Sequence, residues 1–167
     1  MKFVVEWKGN TYDCEWSDDT NFEDLDKIAG VSGFIFDDSG KFCIVKIKSK
    51  DNWTLPGGSK EEYDKTFEYN FIREVDEEAD LEIKNIKRIG YVKSTLRGTK
   101  ETNYSGRFVA KVKKVKPQTI DPAENEINDR KFIAPEQFNE YAHWGENGDF
   151  QVKKSLEALN KLTQNFK

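Results

Sequence analysis

Thiol and imidazole chemistry is nearly absent from this chain. Among 167 residues there is one histidine, His143, and there are two cysteines, Cys14 and Cys43. The cysteines form no CxxC pair and have no histidine beside them. They therefore read as buried free thiols of a reducing, cytoplasmic setting rather than as a disulfide framework. No apolar run approaches the ~20 residues of a membrane span. The opening MKFVVEWKGN lacks the long apolar core of a secretory signal, which again suggests the cytoplasm. A net positive charge is also missing. The formal charge is −4, so nonspecific attraction to nucleic acid or to an anionic membrane is not expected. Basic residues do gather between Lys84 and Lys116, where they read as solvated strand faces. Low-complexity segments, internal repeats and linker-like stretches are all lacking, so residues 1–167 are expected to form one domain.

What the chain does have is aromatic bulk and patterned charge. Twelve Phe, six Tyr and four Trp supply enough volume for a single core. Lys2–Trp7 and Tyr12–Trp16, joined by Lys8-Gly9-Asn10, predict an N-terminal β-hairpin over residues 1–16 that could serve a homodimer. Ser17–Lys27, with Phe22, Leu25 and Ile28 at helical spacing, predicts a short helix. Strands are expected at Val31–Phe36, Phe42–Ile47 (with Lys46 and Lys48 on one face), Ile83–Leu96, Tyr104–Val115 and Lys131–Ile133. Short and long helices are expected at Pro135–Tyr141 and Phe150–Leu162, with Val152, Leu156, Leu159 and Leu162 as the apolar stripe of the second. The sum is an α/β sandwich with a mixed sheet.

The most informative stretch is Leu55–Leu81, LPGGSKEEYDKTFEYNFIREVDEEADL. A Pro-Gly-Gly turn leads through a charged loop into a helix. Phe67, Phe71, Ile72, Val75 and Ala79 recur at three- and four-residue spacing on one side. At about 100° per residue, Glu74, Glu77 and Glu78 fan over a neighbouring face of roughly 100°. Like charges so close repel, so the cluster needs a cation, or a carboxylate with a raised pKa. With only oxygen ligands on offer, hard divalent ions such as Mg²⁺ or Mn²⁺ suit it.

This stretch resembles the Nudix box of the MutT-like pyrophosphohydrolases. Arg73-Glu74-Val75-Asp76-Glu77-Glu78-Ala79-Asp80-Leu81 matches the second half of that pattern except at its glycine, where Asp80 stands. Gly57-Gly58 match its glycine pair. The intervening loop is one residue longer than the family spacing, so the family's first glutamate falls on Asp64 or on Glu62. Asp tolerates the left-handed conformation that ends such a helix, so Asp80 can serve as its cap.

The resemblance implies a Nudix α/β/α sandwich and divalent-metal-dependent hydrolysis of a nucleoside diphosphate linked to another moiety X: a nucleoside triphosphate, nucleotide sugar, ADP-ribose or dinucleoside polyphosphate. It implies metal ligation by the Gly57 carbonyl, Glu74, Glu77 and Glu78, with Glu74 either a ligand or the water-activating base. Arg73 would orient a carboxylate. Gly58 and Asp64 would lie by the substrate. Glu126, in DPAENEIND, matches the late loop where many family members place another acid, with Glu124 its rival. Trp53, Tyr104 and Phe108 could stack on a nucleobase, though most aromatics of this kind are core, and His143 with Trp144 could stack on a base or polarise a phosphate, though a partly buried structural role fits the pair better. A catalytically weak nucleotide-binding or regulatory module is the alternative, favoured by the longer loop and the two substitutions. A prenyl-diphosphate isomerase would need a cysteine near the site, and neither Cys14 nor Cys43 lies in such a motif.

Overall fold

The computed structural model describes residues 1–25, 28–47 and 52–164, so Lys48 and the end of the helix expected at Ser17–Lys27 lie outside the described residues. Lys2–Trp7 (β1) and Asn10–Ser17 (β2) form the expected hairpin, turning at Lys8 and Gly9 with positive φ. Ile28–Phe36 (β3), Phe42–Ile47 (β4), Asn52–Thr54 (β5) and Gly57–Gly58 (β6) follow. The helix Phe67–Ala79 (α1) leads into Leu81–Leu96 (β7), Thr102–Val115 (β8) and Asp129–Ile133 (β9). A 3-10 turn at Pro135–Gln137 then opens onto Phe138–Ala142 (α2) and Gly145–Gln164 (α3).

The strands form one sheet in the order β1-β2-β7-β8-β3-β4-β5, with β6 on β3 and β9 on β4. The β3–β8 pair is parallel and the others are antiparallel, so the sheet is mixed as expected. Strand alternation sends β3 residues to two cores. Phe34 and Phe36 join Phe42, Phe138 and Val152 on the face covered by α2 and α3. Val31 and Ile35 join Phe71, Val75 and Phe108 on the face covered by α1. The result is an α/β/α sandwich. Among the described residues, no helix is long and apolar enough to cross a membrane.

Three expectations need correction. The helix expected at Ser17–Lys27 is not formed over Asp18–Leu25, which is loop and turn. Local side-chain bonds compete there: Asp19 N–H donates to Ser17 Oγ and Asn21 N–H to Asp19 Oδ1. The apolar spacing of Phe22 instead makes a plug, packed edge-on against Phe67, Tyr91 and Phe108 and roofed by Arg88. Ile72 is exposed, since it falls at the margin of the α1 stripe rather than within it. The final helix begins at Gly145, a turn before the expected start at Phe150.

β3 and β4 pair only where Phe36 meets Phe42. The other half of β3 is therefore free to take the glycine pair, with Val31 opposite Gly58 and Ser32 opposite Gly57. This split delivers the box turn to the middle of the sheet.

Candidate active site

The helix α1 is held at both ends by side chains from its own sequence. Thr66 Oγ1 accepts from Tyr69 N–H at the N-terminus, a standard cap. Asp80 adopts the left-handed conformation at the C-terminus with φ 49°, as the sequence predicts. Its carboxylate, buried, also accepts from Thr119 N–H at 2.9 Å and Thr119 Oγ1 at 2.6 Å. The residue that stands for glycine thus also fastens the segment after β8. Phe71 stacks on Phe108 with ring centroids 4.8 Å apart, setting the helix's height on the sheet.

With α1 fixed, its three glutamates have different surroundings. Glu78 lies on the buried side, between the positions of Phe67 and Phe71 around the helix, and is only 9 % exposed. Its Oε2 accepts from Gly57 N–H at 2.8 Å, so turn and helix are bonded to each other directly. Glu74 presses against Gly58: a Cβ on Gly58 would fall 2.4 Å from its carboxylate. Only glycine leaves room there. Burial pushes the Glu74 carboxyl above the usual range, against the lowering pull of Arg73; Glu77 and Asp121 add to the rise. Glu77 is the most exposed of the three, and its Oε2 receives Arg73 Nη1 at 2.9 Å.

Arg73 is the hub. Its Nε and Nη2 bind Asp64 Oδ1 and Oδ2 at 3.0 and 2.8 Å, a bidentate pair. Nη2 also meets Glu74 Oε1 at 2.9 Å and the Ser59 carbonyl at 3.0 Å. Asp64 is fully buried and takes Glu61 N–H as well, and its carboxyl is held below the usual range chiefly by Arg73. Of the two positions the register allows, Asp64 is the loop acid turned inward, and Glu62 is exposed. The cation that the carboxylate cluster calls for is, in this conformation, Arg73.

A cavity of about 780 Å³ opens beside the turn, lined by Gly57, Gly58, Ser59, Glu78, Ser32 and Trp7 among others. A second, of about 820 Å³, adjoins it and shares Trp7, Ala29, Asn52 and Ser105; its walls include β1, Arg107, His143 and Trp144. Trp144 therefore lines a cavity. Trp53 does not. Asn52 and Thr54 line the smaller cavity while Trp53, on the opposite face of β5, packs on Tyr141 and under Lys131 Nζ. Asp64 lines neither cavity and serves Arg73 instead.

The late acidic loop is closed by backbone pairing between Asp121 and Glu126. Its buried acid is Asp121, whose carboxylate accepts from Ala123 N–H and from Asn128 Nδ2. It is Asp121 whose charge reaches Glu74. The sequence points to Glu126, with Glu124 its rival, and does not single out Asp121; Pro122, which opens the turn, is the available signal for an acid held there. Glu126 is half-buried.

As for a metal, the donor set is all oxygen, and Glu74 carries buried charge beside a glycine that leaves no room for a side chain. Both suit a hard divalent ion. Among the described residues, no three acidic, His or Cys side chains already converge on one point. Glu74 and Glu77 would turn from Arg73 to do so. Neither thiol is activated: burial pushes Cys43 up to about 12 and raises Cys14 as well.

Fold and site together define an α/β/α protein in which a glycine turn and a glutamate-bearing helix, bonded to each other, border a cleft. The chain belongs to the NUDIX family: the model of the NUDIX domain matches residues 26–154. No curated protein matches it. Among solved structures, the Bacillus subtilis pyrophosphohydrolase BsRppH (E68A mutant) is 19 % identical with a TM-score of 0.63, over 99 % of this chain and 95 % of that one. The NUDIX domain of Shewanella oneidensis NrtR, complexed with ADP ribose, is 17 % identical with a TM-score of 0.61, over 83 % and 92 %. A C. elegans Ap4A hydrolase is 17 % identical with a TM-score of 0.55, over 80 % and 98 %. The first of these likenesses extends over the N-terminal hairpin as well.

Proposed function

We propose that this chain is a hydrolase of phosphoric anhydride bonds, acting on a nucleoside diphosphate linked to a further moiety with Mg²⁺ or Mn²⁺ as cofactor. Triphosphates, nucleotide sugars, ADP-ribose and dinucleoside polyphosphates are the candidate substrates, and the cytoplasm is the proposed compartment. The observation that carries the reading is the 2.8 Å bond from Gly57 N–H to Glu78, which joins the glycine turn to the acidic helix at the lining of a cleft.

Glu78, Glu74, Glu77 and the Gly57 carbonyl would hold the cation. A divalent ion there supplies charge neutralisation on the diphosphate and acidifies water. The rest of the work falls to the chain. Arg73, steered by Asp64, positions the Glu74 and Glu77 carboxylates. We assign proton acceptance to Glu74, because burial already raises its affinity for a proton. Asp121 strengthens that affinity through its charge, and Glu126 on the same loop is a supplementary acid to test beside it. Gly58 keeps the carboxylate against the backbone. Water adds to one phosphorus and the P–O–P bridge breaks, giving two phosphorylated products.

The test is a metal-supplemented substrate screen. Wild type should turn over at least one of the four substrate classes, and Glu78→Gln should lower that rate about 100-fold or more. A second reading, a nucleotide-binding module without turnover, draws on the closure of Glu74 and Glu77 onto Arg73. Tight binding of one nucleotide with no hydrolysis across the panel would establish it. The edge strand β1, whose outer side no other described strand covers, exposes Val4, Val5 and Trp7 and is proposed as a homodimer surface, to be checked by sedimentation.

A further inference from the structure

The larger cavity contains a buried charge that the hydrolytic chemistry does not use. Arg107 is 8 % exposed, in β8, and lines that cavity. Its bonds go only to neutral oxygens: Nε to Gln151 Oε1 at 2.8 Å, and Nη1 to Ser105 Oγ and to the Ser105 and Gly106 carbonyls. Among the described residues it has no carboxylate partner, and Nη2 donates no hydrogen bond. Burial pushes the guanidinium down to about 10, which leaves it charged at neutral pH. A buried cation without an anion is costly, and one bordering open volume recovers that cost if an anion enters.

A second feature points the same way. The N-terminus of α3, a helix of 20 residues, sits at the same cavity, where Trp144, Glu146 and Asn147 are part of the wall. The first N–H groups of a helix lack intrahelical partners and favour anions. Gln151, one helical turn further, bonds both Arg107 and Asn147 Oδ1, which fixes helix and arginine relative to each other. The acids on the wall are Glu6, which is engaged by Thr11 Oγ1, and Glu146 in the first turn of α3; neither pairs with Arg107.

We propose that Arg107 and the N-terminus of α3 form a phosphate-binding pocket. Because this cavity adjoins the cleft at Gly57 and Glu78, its ligand is a phosphate carried by the moiety beyond the scissile diphosphate. The preferred substrates are then those with a further phosphate on that moiety. The substrate assignment rests on the hydrolase reading; the pocket itself does not.

The pocket is tested with inorganic phosphate titrated by calorimetry into the full chain in EDTA, where the carboxylate site has no metal with which to hold an anion. Wild type and Glu78→Gln should bind in the millimolar range. Arg107→Gln should bind at least about 10-fold more weakly, and Arg107→Lys should recover part of the loss. Equal binding by wild type and Arg107→Gln, or none by wild type, overturns the pocket. Should Arg107→Gln not fold, the Arg107 Nε–H resonance of wild type is followed instead: it shifts with phosphate if the pocket is real and stays fixed if it is not. The substrate assignment is tested with ADP-ribose and ADP-ribose bearing a phosphate on its distal ribose. Wild type should favour the phosphorylated form by about 10-fold in kcat/KM, through KM, and Arg107→Lys should reduce that preference. No preference overturns the assignment. Phosphate binding at Arg107 together with no turnover of any substrate keeps the pocket and defeats only the hydrolase reading.

Discussion

Arg73 bonds Asp64, Glu74, Glu77 and the Ser59 carbonyl at once, and its loss should be felt in stability before it is felt in rate. Arg73→Gln strands the fully buried Asp64 carboxylate, and removing one partner of a buried pair costs about 3–5 kcal/mol. Chemical denaturation should record a loss of that order, with Arg73→Lys recovering only part because an ammonium cannot bind both Asp64 oxygens in the same way. Glu74 behaves oppositely. Its folded pKa is raised, so the folded state holds its proton more tightly than the unfolded chain does. Ionising it costs stability as pH climbs from the ordinary glutamate value through the raised one, and the cost persists above. In EDTA, Glu74→Gln should therefore melt higher than wild type at neutral pH, with the gain shrinking as pH falls through that window. A Glu74→Gln protein less stable than wild type at pH 7 would contradict the buried, under-compensated charge described here. Gly58→Ala should fold yet lose most turnover, since its methyl would displace the Glu74 carboxylate.

At the scale of the element, α1 and its flanking turn were the most legible part of the chain. The stripe of Phe71, Val75 and Ala79, the glutamate fan and the left-handed Asp80 all follow from helical geometry and from the short reach of an aspartate. What the sequence did not disclose was the second duty of Asp80, because Thr119 lies 39 residues away and nothing in the spacing couples them. That duty decides a substitution. Asp80→Gly restores the family residue and relieves about 1 kcal/mol of left-handed strain. It also removes two hydrogen bonds to a buried carboxylate, each worth about 1.5–3 kcal/mol. The losses win, and Asp80→Gly should lower stability by about 2 kcal/mol or more in equilibrium unfolding. The segment Asp18–Leu25 misled for the converse reason. Phe22 and Leu25 have helical spacing, but both pack on a distant core, and Ser17 and Asp19 just before them cap their own turns.

Across the whole molecule, the cavities were the least legible feature. The larger one draws on β1, β2, β7, β8 and the start of α3, segments that only the topology brings together, so Arg107 reads in sequence as one more basic residue on an alternating strand. The same assembly explains why Trp144 reaches a cavity and Trp53 does not. Trp7 joins the two cavities while remaining 57 % exposed. Trp7→Ala should leave the melting temperature nearly unchanged and raise KM about tenfold, a loss in the range of one aromatic stacking contact. An unchanged KM would remove the hairpin from the substrate's path.

The box loop is anchored at Ser59, whose carbonyl is gripped by both Asn70 and Arg73, and again at the Thr66 cap. Lys60–Tyr63 lies between these moorings with its side chains largely in solvent. Slack placed there can bulge outward, but Glu61 N–H bonds Asp64 and Asp64 holds Arg73, so the loop is tethered to the glutamates through that carboxylate. The extra residue is absorbed without loosening that tether, and a further insertion or a threaded reporter should be accommodated only where it leaves Glu61 and Asp64 in register.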